Sequence, residues 1–216
     1  MQGEKMSAPE TKGRVIHWAR WYDLGSKLMS FGRDKAIRAK ALELAAIQPG
    51  EKVLDVGCGT GTLAIAASEA AGAAGEVHGI DPSPEMIEVA EKKAASAHRD
   101  VRFQAGVIEA LSYPDGEFDL VLSSLMLHHL PDDLKRKGFA EVLRVLKPGG
   151  RFLAVDFGSD TDSFLGHLLA VLGHGRGHGN AENLAAALRE SGFEGVEAGS
   201  TGIHAMWFFK GKAREG

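Results

Sequence analysis

The chain of 216 residues has one cysteine, Cys58, which excludes an internal disulfide and fits a reducing compartment. Cytoplasm is therefore the expected location. No stretch reaches the ~18–20 apolar residues needed to span a bilayer, so stable membrane insertion is not expected. The N-terminal stretch is polar and charged and lacks the pattern of a secretory signal. Excess positive charge is missing too: 25 Lys and Arg stand against 29 Asp and Glu, a net charge of -4. That removes the basic footprint of a nucleic-acid binder. The one basic run, Lys135-Arg136-Lys137, is flanked by Asp132, Asp133 and Glu141 and reads as a solvated helix face. No internal repeat is visible. What remains, at 44% hydrophobic and 25% charged residues, is one domain with a full core.

Strand and helix patterns alternate from residue 37 to 157. Residues 34–47 carry Ile37, Ala41, Leu44 and Ala45 at helical spacing, and Pro49-Gly50 ends the pattern. Ser83-Pro84-Glu85 is an N-cap, a first-turn proline and an early acid, which predicts a helix to about Ala97. Short strands are predicted at 101–104, 118–123 and 151–157, with a helix over 132–146 stopped by Lys147-Pro148-Gly149-Gly150. The alternation argues for a mostly parallel sheet flanked by helices, a Rossmann-like α/β fold.

The most informative stretch is Val53-Leu54-Asp55-Val56-Gly57-Cys58-Gly59-Thr60-Gly61, a short strand running into a glycine loop before the helical Thr62–Ala67. Alternate glycines let the backbone turn tightly and approach a ligand, and the helix start aims free N–H groups into the loop. The spacing is not the Gly-x-Gly-x-x-Gly of a dinucleotide site. A pyrophosphate would gain nothing from Asp55, whereas a ligand bearing an ammonium and a sulfonium would. Asp81 ends the next apolar run and can accept both hydrogen bonds of a ribose diol, as in other nucleotide-binding α/β folds.

On these residues the chain resembles the class I S-adenosylmethionine-dependent methyltransferases, and within them the small-molecule branch with the ubiquinone/menaquinone-type enzymes. The resemblance runs from about Trp21 to the C-terminus. It implies an antiparallel strand pair at the C-terminal end of the sheet, matched by 193–198 and 203–210. It also implies S-adenosyl-L-methionine as cofactor. Asp55 and the loop Gly57, Cys58, Gly59 and Gly61 would hold its methionine half, Asp81 the ribose, and Pro82 and Met86 the adenine; Ser123 would face the transferring methyl. Cys58 is read as packing in the loop rather than as a nucleophile, and a single cysteine argues against the arsenite-methylating relatives. In Gly106-Val107-Ile108 the sequence departs from the family, which usually has an Asp directly after the glycine to accept from the adenine amino group. Backbone groups of Val107 and Ile108, or the side chain of Glu109, are then left to hold the adenine.

Methyl transfer is a displacement at a sulfonium, in which the protein mainly positions the partners. A hydroxyl acceptor gains from a nearby base, and His128 and His129 after the fourth strand are the candidates. The same His-His pair recurs in the family as a helix-start motif, so a structural role stands beside the catalytic one. Trp18, Trp21 and Tyr22 form an aromatic cluster that could close over the cofactor; Tyr22-Asp23 matches a pair common in the resembling branch and marks Tyr22 as a cofactor contact. The resulting division is a flexible tail over 1–13, an N-terminal helical lid segment over 14–48 and the methyltransferase domain over 49–216. His167, His174 and His178 lie too loosely, without cysteine support, to predict a metal site. Residues 158–180 are expected instead to form a Gly/His loop over the substrate pocket.

The acceptor expected from the lining stretches 15–33, 123–129 and 156–180 is small and apolar or aromatic, methylated at oxygen or carbon; monomer and homodimer are both open. The absence of an Asn-Pro-Pro-Tyr type motif at Ser123-Ser124-Leu125-Met126 weakens amine or nucleobase methylation. A dehydrogenase lacks both its glycine spacing and a hydride-transfer site here. The rival from another class is a cofactor-binding regulatory or scaffold protein without turnover.

Overall fold

The computed structural model describes residues 34–158, 181–203 and 205–216. Helix α1 (Asp34–Ala45) precedes β1 (Lys52–Val56), α2 (Thr62–Ala71), β2 (Glu76–Asp81), α3 (Pro84–Ser96), β3 (Arg102–Ala105) and β4 (Phe118–Ser124). A single 3-10 turn, Leu127–His129, leads to α4 (Asp132–Val145), β5 (Leu146–Phe157), α5 (Ala181–Glu190), β6 (Glu194–Ser200) and β7 (Met206–Lys212). The seven strands form one sheet in the order β3-β2-β1-β4-β5-β7-β6. β1 to β5 pair in parallel, and β7 runs antiparallel to β5 and to β6. The expected α/β architecture with its C-terminal antiparallel pair is therefore the observed one.

The core lies on both faces of this sheet. On one side Val53, Val77, Leu120, Leu122 and Val155 meet Ile37, Ala41 and Ala45 of α1 and Leu63, Ala64 and Ala67 of α2. On the other, Leu54, Val56, Val121 and Phe152 meet Phe139 and Val142 of α4 and Leu184 and Leu188 of α5. β1 supplies residues to both clusters, as strand alternation requires of a central parallel strand buried on two faces.

Element boundaries follow local chemistry. Ser83 caps α3, its hydroxyl accepting the Met86 N–H at 3.3 Å, with Pro84 at the first turn. β5 is longer than the sequence suggests: pairing begins at Leu146, opposite Phe118, and continues past the Pro148-Gly149-Gly150 stop with a register shift. The proline and glycines end α4 without ending the chain's place in the sheet. Lys135 also differs from the solvated face expected of its run, since only 8% of it is exposed. It lies one turn into α4 beside the buried Leu134 and Phe139, its ammonium reaching Asp132 Oδ1 at 3.0 Å. Arg136 and Lys137 are exposed, as expected.

Candidate active site

The strand order reverses direction between β1 and β4, and the crevice beyond the carboxyl ends at such a point is where open α/β sheets hold ligands. The glycine loop leaves β1 there. Gly57 and Cys58 donate their N–H groups to Ile80 O, both at 2.9 Å, which ties the loop across the end of β2. Gly57 and Gly61 both have positive φ, 72° and 74°, and both are crowded. A Cβ on Gly61 would stand 2.6 Å from Phe103 Cζ and 2.8 Å from Ala90 Cβ, so a side chain there would push the loop off the sheet.

Two acids border this loop. Asp81 accepts the Gly59 N–H at 3.0 Å on one oxygen and the Ser83 N–H at 2.9 Å on the other, joining the loop to the cap of α3. Its carboxyl is raised from its ordinary value by burial, against the pull of those two N–H groups. Asp55 is 1% exposed, and burial together with the charge of Asp81 raises its carboxyl to about 7, opposed by the Ala64 N–H at the start of α2. Cys58 is buried next to both, and its thiol is pushed well up by burial and by the two carboxylates, the opposite of a reactive thiolate.

Asp55 Oδ2 and Ser123 Oγ are buried without a hydrogen-bond partner. Unmatched acceptors of this kind are expensive in an empty protein and ordinary in a site that takes a donor. Two acids and an orphan oxygen beside a glycine loop suit a cationic ligand with hydroxyls and oppose a pyrophosphate. The residues fit a sulfonium nucleoside better than a dinucleotide.

On the far side of β2, Met86 is buried at the start of α3 with Pro82 before it, and Gly106 donates its N–H to Asp81 O at 3.1 Å. The loop after Gly106 is held from α4. Arg144 donates to Leu111 O at 2.9 Å and Tyr113 O at 2.8 Å, and Glu141 accepts the Leu111 N–H at 2.8 Å. Val107 and Ile108 are buried, with the Ile108 side chain packed so closely on Gly138 of α4 that a Cβ there would meet it at 2.8 Å. Their side chains thus belong to the core.

Beyond β4 the chain turns through Leu125, at φ 56°, into Leu127–His129. His128 meets a residue that sequence reasoning missed. Its Nδ1 lies 2.6 Å from Oδ1 of Asp156, at the end of the neighbouring strand β5, and its backbone N–H reaches Oδ2 at 3.2 Å. Asp156 is 2% exposed. The rule that singled out Asp55 and Asp81, an acid closing a parallel strand, would have found it. His128, Asp156 and Phe157 border a cavity of about 260 Å³ between the turn, α4 and α5. The His129 ring lies 3.9 Å from that of His128, tilted by 46°. Tyr22, Trp18 and Trp21, the 1–13 tail and His167, His174 and His178 lie outside the described residues.

Residues 53–150 match the family described as a methyltransferase domain. That match covers just under half of the chain, which over this stretch is similar to the class I methyltransferases. The demethylmenaquinone methyltransferase of Thermus thermophilus is 39% identical over 136 residues, 63% of this chain and 60% of the relative. That of Staphylococcus aureus is 38% identical over 140 residues, 65% of this chain and 57% of the relative. The chain thus spans somewhat less than two thirds of the length of these curated relatives. Among solved structures, the YcgJ protein from Bacillus subtilis superposes with TM-score 0.67 at 25% identity, over 84% of this chain and all of that one. A SAM-dependent methyltransferase from Aquifex aeolicus gives 0.64 at 21% identity, over 81% and 88%. The [4+2]-cyclase SpnF gives 0.69 at 20%, over 96% of this chain and all of SpnF. The same fold therefore also houses a protein named for a different reaction, so the reaction must be argued from the site.

Proposed function

We propose that the chain transfers a methyl group from S-adenosylmethionine to a small, apolar or aromatic acceptor, at oxygen or carbon, releasing S-adenosylhomocysteine. The observation that carries this reading is the buried, unpartnered Oδ2 of Asp55 beside the glycine loop, next to a second acid at the end of β2. Asp55 and the backbone of Gly57, Cys58, Gly59 and Gly61 would hold the methionine end. Asp81 would hold the ribose, Pro82, Met86, Gly106 and the backbone of Val107 and Ile108 the adenine, with Ser123 beneath the methyl. Tyr22 would complete the site from outside the described residues.

When bound, the cofactor supplies the electrophilic methyl. The protein's work is placement and, for a hydroxyl acceptor, removal of a proton. The turn after β4 rests on the glycine loop, with Met126 against Gly57, so His128 is held by the same contact that shapes the loop. His128 is the residue we assign as base and His129 its stacked neighbour. Phe157, 38% exposed and edge-on to the His128 ring at 5.0 Å, offers apolar surface for an acceptor ring. The names of the curated relatives favour a quinone-like ring, and the exposed Phe157 is compatible with one. Incubation with labelled cofactor and a panel of phenols, quinols and amines tests the reading: labelled product from an aromatic acceptor supports it, and transfer to amines alone would refute it. A protein that binds cofactor without turnover would give no product with any acceptor.

A further inference from the structure

The cavity bordered by Phe157 continues between α4 and α5, and its α4 wall carries charge that the reading above does not use. Lys135 lines that wall, buried one turn into the helix. An ammonium has three donors. Among the described residues Lys135 makes one hydrogen bond, to Asp132 Oδ1 at 3.0 Å, and the Asp132 side chain is itself 81% exposed. A cation taken this far out of water with two donors unmatched costs stability, so something other than folding keeps it there. Arg136, exposed at the next position of α4, forms no ion pair among the described residues. Of the acids on the walls, Asp132 is engaged by Lys135, and Asp156 by His128 and the Phe157 N–H. Glu190, exposed at the last residue of α5, is the acid left over, and Asn183 adds an amide donor. The surplus on these walls is in donors and positive charge. The rest of the lining is apolar, from Leu127, Leu184 and the short side chains of Ala186 and Ala187.

We propose that this cavity holds the methyl acceptor by an anionic group, so that the acceptor is an aromatic acid. Its ring lies against Phe157, and its carboxylate takes the two open donors of Lys135, with the Arg136 guanidinium adding to the attraction. The proposal rests on the methyltransferase reading and names the acceptor class within it. The two oxygens of a carboxylate match two ammonium donors, and such charge-assisted bonds are the strong ones where water is largely excluded. The volume of about 260 Å³ lies just under the ~300 Å³ at which pockets for drug-sized molecules begin, which is room for one substituted ring. A neutral ring of the same shape would leave the Lys135 donors unmatched, so the cavity selects by charge as well as by shape. The same argument explains why the lysine is buried: its ammonium destabilises the free protein, and the acceptor's charge offsets that.

The test uses the full chain, labelled S-adenosylmethionine, and hydroxybenzoates set against hydroxybenzamides of the same ring pattern. The wild type is expected to prefer the acids by at least about 10-fold in kcat/KM, the scale of a hydrogen bond to a charged group. In Lys135→Met that preference should fall by roughly 10- to 100-fold through the KM for the acids, while the affinity for S-adenosylhomocysteine stays within about twofold. Lys135→Arg should keep part of the preference, and Arg136→Gln should lower it by a smaller factor. Urea denaturation gives a readout on which a purely structural lysine would behave differently: Lys135→Met is expected to be at least as stable as the wild type. Equal use of acids and amides by the wild type, no transfer to any hydroxybenzoate, an unchanged preference in Lys135→Met, or a loss of stability in that variant with both acceptors weakened alike would each overturn the proposal while leaving the methyltransferase reading standing. Failure of the wild type to bind S-adenosylhomocysteine would instead overturn the reading beneath it.

Discussion

Met126 lies against Gly57 so closely that a Cβ on the glycine would stand 2.8 Å from Met126 Cβ and within hard contact of its Cγ. The glycine loop after β1 and the turn after β4 are thus a single packed unit. One carries the backbone proposed to hold the cofactor and the other carries His128. Because Gly57 also has φ 72°, the position excludes side chains twice, by backbone conformation and by space.

Gly57→Ala is expected to lose about 2 kcal/mol of stability, the usual range for a non-glycine residue forced into a left-handed backbone, and to weaken S-adenosylhomocysteine binding as the loop shifts. The double variant with Met126→Ala removes the clash with Cγ but keeps the one with Cβ, so only partial recovery is expected by urea denaturation. Wild-type stability in the single variant would contradict the packing described.

Asp81→Asn keeps one acceptor oxygen but loses the charge and the second acceptor. Hydrogen bonds to charged groups are worth about 1.5–3 kcal/mol, so the dissociation constant for S-adenosylhomocysteine should rise by roughly 10- to 150-fold. Calorimetry checks this, and an unchanged constant would remove Asp81 from the cofactor's contacts.

The acidity of Asp55 gives a signed pH dependence. Its carboxyl sits at about 7 in the folded chain, above the ~4 of an unfolded aspartate. The folded state therefore holds that proton more tightly. The associated stability is full below pH ~4 and is lost as pH rises through about 7, a change on the order of 4 kcal/mol. A ligand ammonium paired with the ionised carboxylate offsets the loss. The thermal shift caused by S-adenosylhomocysteine is expected to be larger at about pH 8 than at about pH 5.5. Equal shifts at both values would show that Asp55 does not meet the ligand's charge.

Arg144 and Glu141 hold the loop from Leu111 to Tyr113 by side-chain bonds to its backbone. Arg144→Ala should cost about 1–2 kcal/mol through the carbonyls it leaves unpaired. Hydrogen exchange should quicken over 107–116 before it does in β1 or β4. Uniform quickening across the domain would mean that the clamp is only global.

Much of this was legible in residue order, because the signals are local. The alternate glycines after β1, the acid closing β2 and the Ser83-Pro84-Glu85 start of α3 each act within a few residues. The sheet's parallel half follows from the strand–helix alternation. What was missed depends on pairing across the fold. Asp156 becomes meaningful only when β5 lies beside β4 and brings it to His128, although both were visible at strand ends. Lys135 looked solvated because neighbouring charges suggest a wet surface, while helical geometry turns that one position inward. Leu146 joins β5 before the proline and glycines because the pairing partner, Phe118, is 28 residues upstream. The missing acid after Gly106 finds its structural counterpart in a loop pinned by Arg144, which no local pattern signals.

The most direct measurement is calorimetric titration of the full chain with S-adenosylhomocysteine, with NAD as control. One-to-one micromolar binding of S-adenosylhomocysteine and none of NAD is the expected result. Binding of NAD in its place, or of neither ligand, would contradict the assignment of the acid-bordered glycine loop as a site for a sulfonium nucleoside.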